Sequence, residues 1–259
     1  MQEYWGLDHH VRVIPLLKEI IKTTLGPEWI EEKNESLTQK EVDLPHLSLF
    51  KTLMKVLLWN CQGAANPHFL RHFNNLMEDH HPQLVVITET RVGGIRGATL
   101  CKNLGFPKYH IVETHGFAGG IWLLWNDLEI HCDIIAQTQQ EVHAWIQVLS
   151  KPSPWLFSAI YASPILSSRR ILWENRTTLA NSHNAPWFMM GDFNEILTSV
   201  DKFRGKPINL SRALKLKDCM DHCGMLDLGF SGPKFTWTNL RNTRALIRER
   251  LDRAWSNHE

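Results

Sequence analysis

Trp187-Phe188-Met189-Met190-Gly191-Asp192-Phe193-Asn194-Glu195 joins a short apolar run to three polar side chains across a single glycine. The run is too short for a helix and reads as a strand buried on both faces. The glycine is expected to let the backbone turn sharply, so that Asp192 and Asn194 reach the rim of a sheet. The pattern recurs along the chain: Val56-Leu57-Leu58-Trp59 runs into Asn60, Leu84-Val85-Val86-Ile87-Thr88 into Glu89, and Trp155 to Ile160 into Tyr161. Each run ends on a residue able to ligate a metal, hold a phosphate or move a proton. Strand ends of this kind are expected to converge on one polar site.

The chain has 259 residues, enough for a sizeable core, and its formal net charge is +1, so no global basic field marks a nucleic-acid binder. A local cluster of Arg241, Arg244, Arg248, Arg250 and Arg253 reads equally as a solvated face or a phosphate-binding one. Five cysteines without regular spacing argue against a disulfide framework and for a reducing, intracellular compartment. Cys219 and Cys223 lack partners at zinc-finger spacing and read as core. No apolar run approaches the length of a membrane span, and no secretory segment opens the chain.

Residues 1–50 read as an extension: Val11, Ile14, Leu17, Ile20 and Ile21 have helical spacing, and an acidic, turn-rich linker follows Gly26-Pro27. From residue 51 to 259 strands and helices mix. A helix follows Asn66-Pro67, with His72, His80 and His81 as surface or capping residues. The glycine-rich run Arg91 to Gly97 reads as a flexible rim loop. Closely spaced strands in the middle suggest an antiparallel meander. Helices are expected from Ser167 to His183 and from Asn209 to about Gly224, and Ile247 to Trp255 as a strand paired with Lys234 to Thr238.

Trp59-Asn60-Cys61-Gln62-Gly63, Thr88-Glu89-Thr90, Ile160-Tyr161-Ala162-Ser163-Pro164, Gly191-Asp192-Phe193-Asn194 and Arg250-Leu251-Asp252-Arg253 occur in a telling order. The ordered set resembles the endonuclease/exonuclease/phosphatase superfamily, the deoxyribonuclease I-like fold. Gly191 to Leu197 and Asp227 to Asn239 are especially similar to the apurinic-type endonuclease domain of plant LINE (non-LTR) retrotransposons. The resemblance covers residue 53 onward and implies an α/β fold, a four-layer α/β/β/α sandwich of two mixed sheets with helices outside.

It also implies roles. Glu89 is the principal Mg²⁺ ligand (Mn²⁺ being a substitute), helped by Asn60; Asp192 orients or deprotonates the attacking water; Asn194 bonds the phosphate and fixes Asp192; Tyr161 contacts the phosphate. Thr236, Trp237, Leu251 and Arg250 line the nucleic-acid surface in such a reading, or form plain sheet core. Gln62 stands where some relatives carry a carboxylate. The family's last strand carries a Ser-Asp-His motif, and this sequence stops at Asn257-His258-Glu259 before it. The expectation is therefore a sandwich incomplete at its C-terminus, with an unpaired central ladder and Asp252 as an orienting group with no histidine to orient.

Three readings follow: a Mg²⁺-dependent DNA-nicking endonuclease of LINE origin, expected to be weak or inactive as this chain without the Ser-Asp-His strand, and nuclear if it acts on genomic DNA; a catalytically silent relic or nucleic-acid-binding module on the same fold; and a phosphatase of the superfamily. DNA is the implied partner, and no membrane is.

Overall fold

The computed structural model describes residues 11–15 and 54–257, apart from positions 115, 117, 152 and 231. The strands are β1 (Val11–Pro15), β2 (Lys55–Asn60), β3 (Leu84–Thr88), β4 (Lys108–Val112), β5 (Ile121–Trp125), β6 (Ile130–Thr138), β7 (Glu141–Val148), β8 (Trp155–Tyr161), β9 (Trp187–Asp192), β10 (Lys202–Phe203), β11 (Met225–Asp227), β12 (Trp237–Thr238), β13 (Arg248–Glu249) and β14 (Asp252–Asn257). The helices are α1 (Phe69–His80), α2 (Gly94–Lys102), α3 (Leu166–Ala180) and α4 (Leu210–His222).

Two mixed sheets result, a five-stranded one in the order β1-β2-β3-β5-β4 and a six-stranded one in the order β11-β14-β9-β8-β7-β6. Each is organised around one parallel pair, β2/β3 and β8/β9, whose crossover contains a helix. The side-chain period of two sorts the apolar runs. Val56, Leu58, Leu84, Val86, Phe157, Ala159, Phe188 and Met190 meet between the sheets. Leu57, Trp59, Val85 and Ile87 face outward onto Phe69 and Phe73 of α1. Leu156, Ile160, Trp187 and Met189 face outward onto Leu172 of α3 and Leu216 of α4. Both faces of every central strand are thus covered, which is why those runs carry no polar alternation. The expected four-layer α/β/β/α sandwich is what forms.

Several local expectations change. Val11–Pro15, assigned by spacing to a helix, is a strand antiparallel to β2; it is β-branched, and its proline is tolerated because β1 is an edge. The rest of the expected N-terminal helix and linker, residues 16–50, lies outside the described residues. The glycine-rich run after Glu89 enters helix α2, whose Gly97 packs close to the Val92 carbonyl; packing overrides the poor helix propensity of glycine. The meander is split, with β5 in one sheet and β6 and β7 in the other. Ile247 to Trp255 is not one strand. β13 pairs with β10 and β12 in a small third sheet, whereas β14 pairs with β9.

The unpaired central ladder does not occur among the described residues: β2 lies between β1 and β3, and β9 between β8 and β14. Removing residues 1–15 therefore bares the backbone of β2, a central strand that carries Asn60. The shortened protein is expected to self-associate, with a concentration-dependent rise in mass by light scattering that the full chain does not show.

Candidate active site

The expected turn at Gly191 is not where the backbone bends. Gly191 sits within β9, in register with Ile160 and Arg253. A Cβ there would lie 2.0 Å from the Ile160 carbonyl oxygen, so glycine is needed for close approach of β8 and β9. The bends come beyond the strand ends, at non-glycine residues. Gln62, Glu89, Arg91 and Asn194 hold φ values of 52°, 52°, 54° and 46°. Left-handed backbone costs such residues roughly 1–2 kcal/mol each, and its clustering at the ends of β2, β3 and β9 marks stored strain at one rim.

The rim is common to both sheets. Asn60 is in register with Thr88, one residue before Glu89, and Asp192 is in register with both Tyr161 and Asp252. Asn60 Nδ2 donates to Glu89 Oε1 at 2.9 Å, while its Oδ1 accepts from the Gln62 N–H at 3.3 Å. Glu89 Oε2 accepts from Arg91 Nη2 at 2.5 Å. The Tyr161 hydroxyl hydrogen-bonds Glu89 and feels the charge of Asp192. Asp192 Oδ1 accepts from the Asn194 N–H at 2.8 Å, and Asn194 Nδ2 donates to the Ala162 carbonyl at 2.7 Å. Glu89, Tyr161, Asp192, Asn194, Asn60 and Asp252 therefore gather at one rim, with contributions from both sheets.

Electrostatics follow from that crowding. Asp192 is held well above the usual carboxylate range by burial and by the charges of Asp252 and Glu89, against the pull of the Asn194 N–H and Arg169. Burial raises the Tyr161 hydroxyl, and Glu89 and Asp192 raise it further, so it stays a neutral donor. Burial also pushes the Cys61 thiol to about 12, which disqualifies it as a thiolate nucleophile.

The four candidate surface residues are placed differently. Thr236 is buried, and its Oγ1 accepts from the N–H groups of Leu251 (2.9 Å) and Asp252 (3.0 Å). It anchors the backbone entering β14. Leu251 is buried beside it, while Trp237 is half-buried on β12. Arg250 is buried, bonds Asp227 at 2.7 Å and lies over Phe230. The arginine cluster divides accordingly. Arg250 and Arg253 turn inward to Asp201 and Asp227, whereas Arg241 and Arg244 are exposed between β12 and β13.

Sequence reasoning missed Arg91 as a partner of Glu89 and Arg169 altogether, and gave Glu195, quoted in the deciding stretch, no role. Arg91 carried a signal in its position two residues after Glu89; Arg169, remote in sequence from Glu195, carried none.

Oxygen donors dominate the rim, and carboxylate and amide oxygens of this kind suit a hard divalent cation that keeps most of its water. Among the described residues no three His, Cys, Asp or Glu side chains form a metal-binding group. Glu89 and Asn60 are the residues that could hold such a cation, in exchange for the hydrogen bonds that Glu89 accepts from Asn60 and Arg91.

The fold recurs in solved structures. The 3′ phosphatase NExo from Neisseria, bound to a product DNA hairpin, matches with TM-score 0.60 at 17% identity over 79% of this chain and 86% of that one. The AP endonuclease LMAP from Leishmania major matches with TM-score 0.58 at 14% identity over 79% of both chains. The endonuclease domain of TRAS1, a telomere-specific non-LTR retrotransposon, gives 0.56 at 14% identity over 79% and 85%. A search of curated proteins finds no match. Residues 57–259 match the Endonuclease/Exonuclease/phosphatase family, and the chain belongs to that family.

Proposed function

We propose that this chain is a Mg²⁺-dependent phosphodiesterase that nicks DNA. The observation that carries the reading is the gathering of Asn60, Glu89, Tyr161, Asp192 and Asn194 at one rim shared by the two sheets. A cation on Glu89 would supply charge for the phosphoryl oxygens and the leaving oxygen. The chain's own residues do the rest. Asp192, unusually basic for a carboxylate, takes a proton from the attacking water. Asn194, fixed at both its backbone and its side chain, holds Asp192 in place. Tyr161 donates its hydroxyl proton to charge building on a phosphate oxygen. Asn60, bonded at both ends of its amide, fixes the orientation of Glu89. Cleavage that leaves a 3′-hydroxyl yields a primer for reverse transcription.

A LINE-type retrotransposon origin is supported by Gly191 to Leu197 and Asp227 to Asn239, and by a fold shared with the TRAS1 endonuclease domain. Action on genomic DNA would place the protein in the nucleus. Among the described residues no helix is long and apolar enough to cross a membrane.

The deciding experiment is conversion of supercoiled plasmid to open circles, dependent on Mg²⁺ and abolished by a chelator. Plasmid retarded in a gel but never nicked would instead mark a binding module without turnover. Release of inorganic phosphate from a 3′-phosphorylated oligonucleotide, with no nicking, would favour the phosphatase reading.

The exposed pair Arg241 and Arg244 is the part of the arginine cluster free to meet phosphate. Changing both to alanine is expected to weaken DNA binding alike for unrelated sequences. The slope of log K against log[salt], read by fluorescence anisotropy, should become shallower by about 2.

A further inference from the structure

Arg169 is almost wholly buried, at 1% exposed. It rises from the first turn of α3, and its guanidinium spans two loops. Nη1 donates to the Ser163 carbonyl at 2.6 Å, and Nη2 to Glu195 Oε2 at 3.1 Å. Ser163 lies two residues beyond Tyr161, and Glu195 directly follows Asn194. A third bond closes the figure, because Asn194 Nδ2 donates to the carbonyl of Ala162, between Tyr161 and Ser163. The Ala162 N–H in turn donates to the Asp192 carbonyl at 2.8 Å. Glu195 is itself buried and takes a second cation, Arg212 of α4, at 2.9 Å on the same oxygen.

Such a pair is poorly explained as a source of stability. Two buried ions give up their hydration, and apolar residues of like volume often stabilise as well. A planar guanidinium does what apolar packing cannot, since it fixes two backbone segments at set distances and angles. The segments it fixes are those that carry Tyr161 and Asn194, and Asn194 holds the left-handed backbone that would relax if released.

Accordingly, the geometry points to Arg169 and Glu195 as a positioning pair, which staples the loops after β8 and β9 and so holds Tyr161 and Asn194 in register with Asp192. This rests on the phosphodiesterase reading for its catalytic consequence, but not for its structural one.

Glu195→Gln keeps shape and removes the charge; Arg169→Lys keeps charge and removes the fork. Arg170→Ala, which removes an exposed pair with Glu174 on the same helix, is the control. The first measurement is hydrogen exchange by mass spectrometry on the metal-free protein. Both variants are expected to exchange faster in segments 161–165 and 193–196, by about tenfold, with segment 187–190 and the control unchanged. Unchanged exchange in the two loops overturns the proposal, and so does equal acceleration throughout the sheet, which would mean a general stabiliser. The second measurement is nicking kinetics. A misplacement of about 1 Å can cost about 10²-fold, so kcat should fall by about 10- to 100-fold with KM for DNA within about twofold. A rise in KM with kcat unchanged overturns positioning. Loosened loops in the two variants, together with a wild-type protein that nicks nothing, would sink the phosphodiesterase reading and leave the staple standing.

Discussion

Asp192→Asn is expected to lower the Mg²⁺-dependent nicking rate by about 10³-fold while making the folded protein more heat-stable. General-base loss accounts for a factor of about 10²–10⁴. The gain in stability follows from the same carboxylate. Asp192 is buried beside Asp252 and Glu89, and its proton is held well above the usual carboxylate range. A raised folded-state value means that the folded protein binds this proton more tightly than the unfolded chain. The carboxylate therefore costs nothing in acid, and its cost to stability grows as pH rises from the unfolded value through the folded one. At neutral pH the neutral amide removes that like-charge strain, and its oxygen can still accept from the Asn194 N–H. Thermal melts at pH 7 should rise by a few degrees, and the difference should vanish near pH 4. The wild-type rate should climb with pH through the raised value of Asp192. A variant that nicks normally, or that melts lower at pH 7, contradicts the role assigned to Asp192.

Arg253→Met is expected to destabilise the protein by about 3–5 kcal/mol, the usual result of removing one member of a buried charge network. Arg253 Nη2 donates to Asp201 Oδ2 at 2.9 Å and Nη1 to Asp227 Oδ2 at 2.7 Å. Arg250 Nη2 donates to Asp227 Oδ1 at 2.7 Å, and Arg250 Nη1 lies 3.8 Å from Asp201. Two arginines flanking Asp252 thus form a closed ring with two aspartates, tying β14 to the turn Ser199–Asp201 and to β11. Methionine keeps most of the volume but leaves two carboxylates sharing the single remaining cation, Arg250, with Asp201 buried. Burial raises the Asp201 carboxyl, but Arg253 and Thr198 pull it below its ordinary value overall. Its contribution is therefore present above the unfolded carboxylate range and lost as pH falls through the folded value. Urea midpoints should separate the variant from wild type widely at pH 7 and less below pH 4. A loss below about 1 kcal/mol, the usual worth of a surface pair, would show that the ring is not closed in solution.

The legible part of this chain lies in its apolar runs. Val56 to Trp59, Leu84 to Thr88, Trp155 to Ile160 and Trp187 to Met190 are continuous because each strand is packed on both faces. Burial on both faces is a property of the run itself, so the strands and the polar residues at their ends could be read directly. Helices α1, α3 and α4 were readable for the same reason, their apolar spacing being local.

Direction was not legible. Arg241, Arg244, Arg250 and Arg253 look alike as letters, yet the first two meet solvent and the last two close a buried ring. Which way each points depends on Asp201 and Asp227, residues supplied by elements distant in the chain. Gly191 reads in the sequence as a turn; only the neighbouring strand shows that glycine is needed there because of the Ile160 carbonyl. Val11–Pro15 has a period that suits a helix, and the free edge of β2 makes it a strand.

The sequence alone determined the residue types at the rim and the strands that deliver them, because local hydrophobic pattern and the chemistry of single side chains need no partner to be defined. Tertiary structure decided which of those residues are neighbours, which carboxylate carries a perturbed proton, and that Arg169 reaches across to Glu195. Charge pairing, desolvation and ladder edges exist only between segments, and a linear string records the segments without the distances between them.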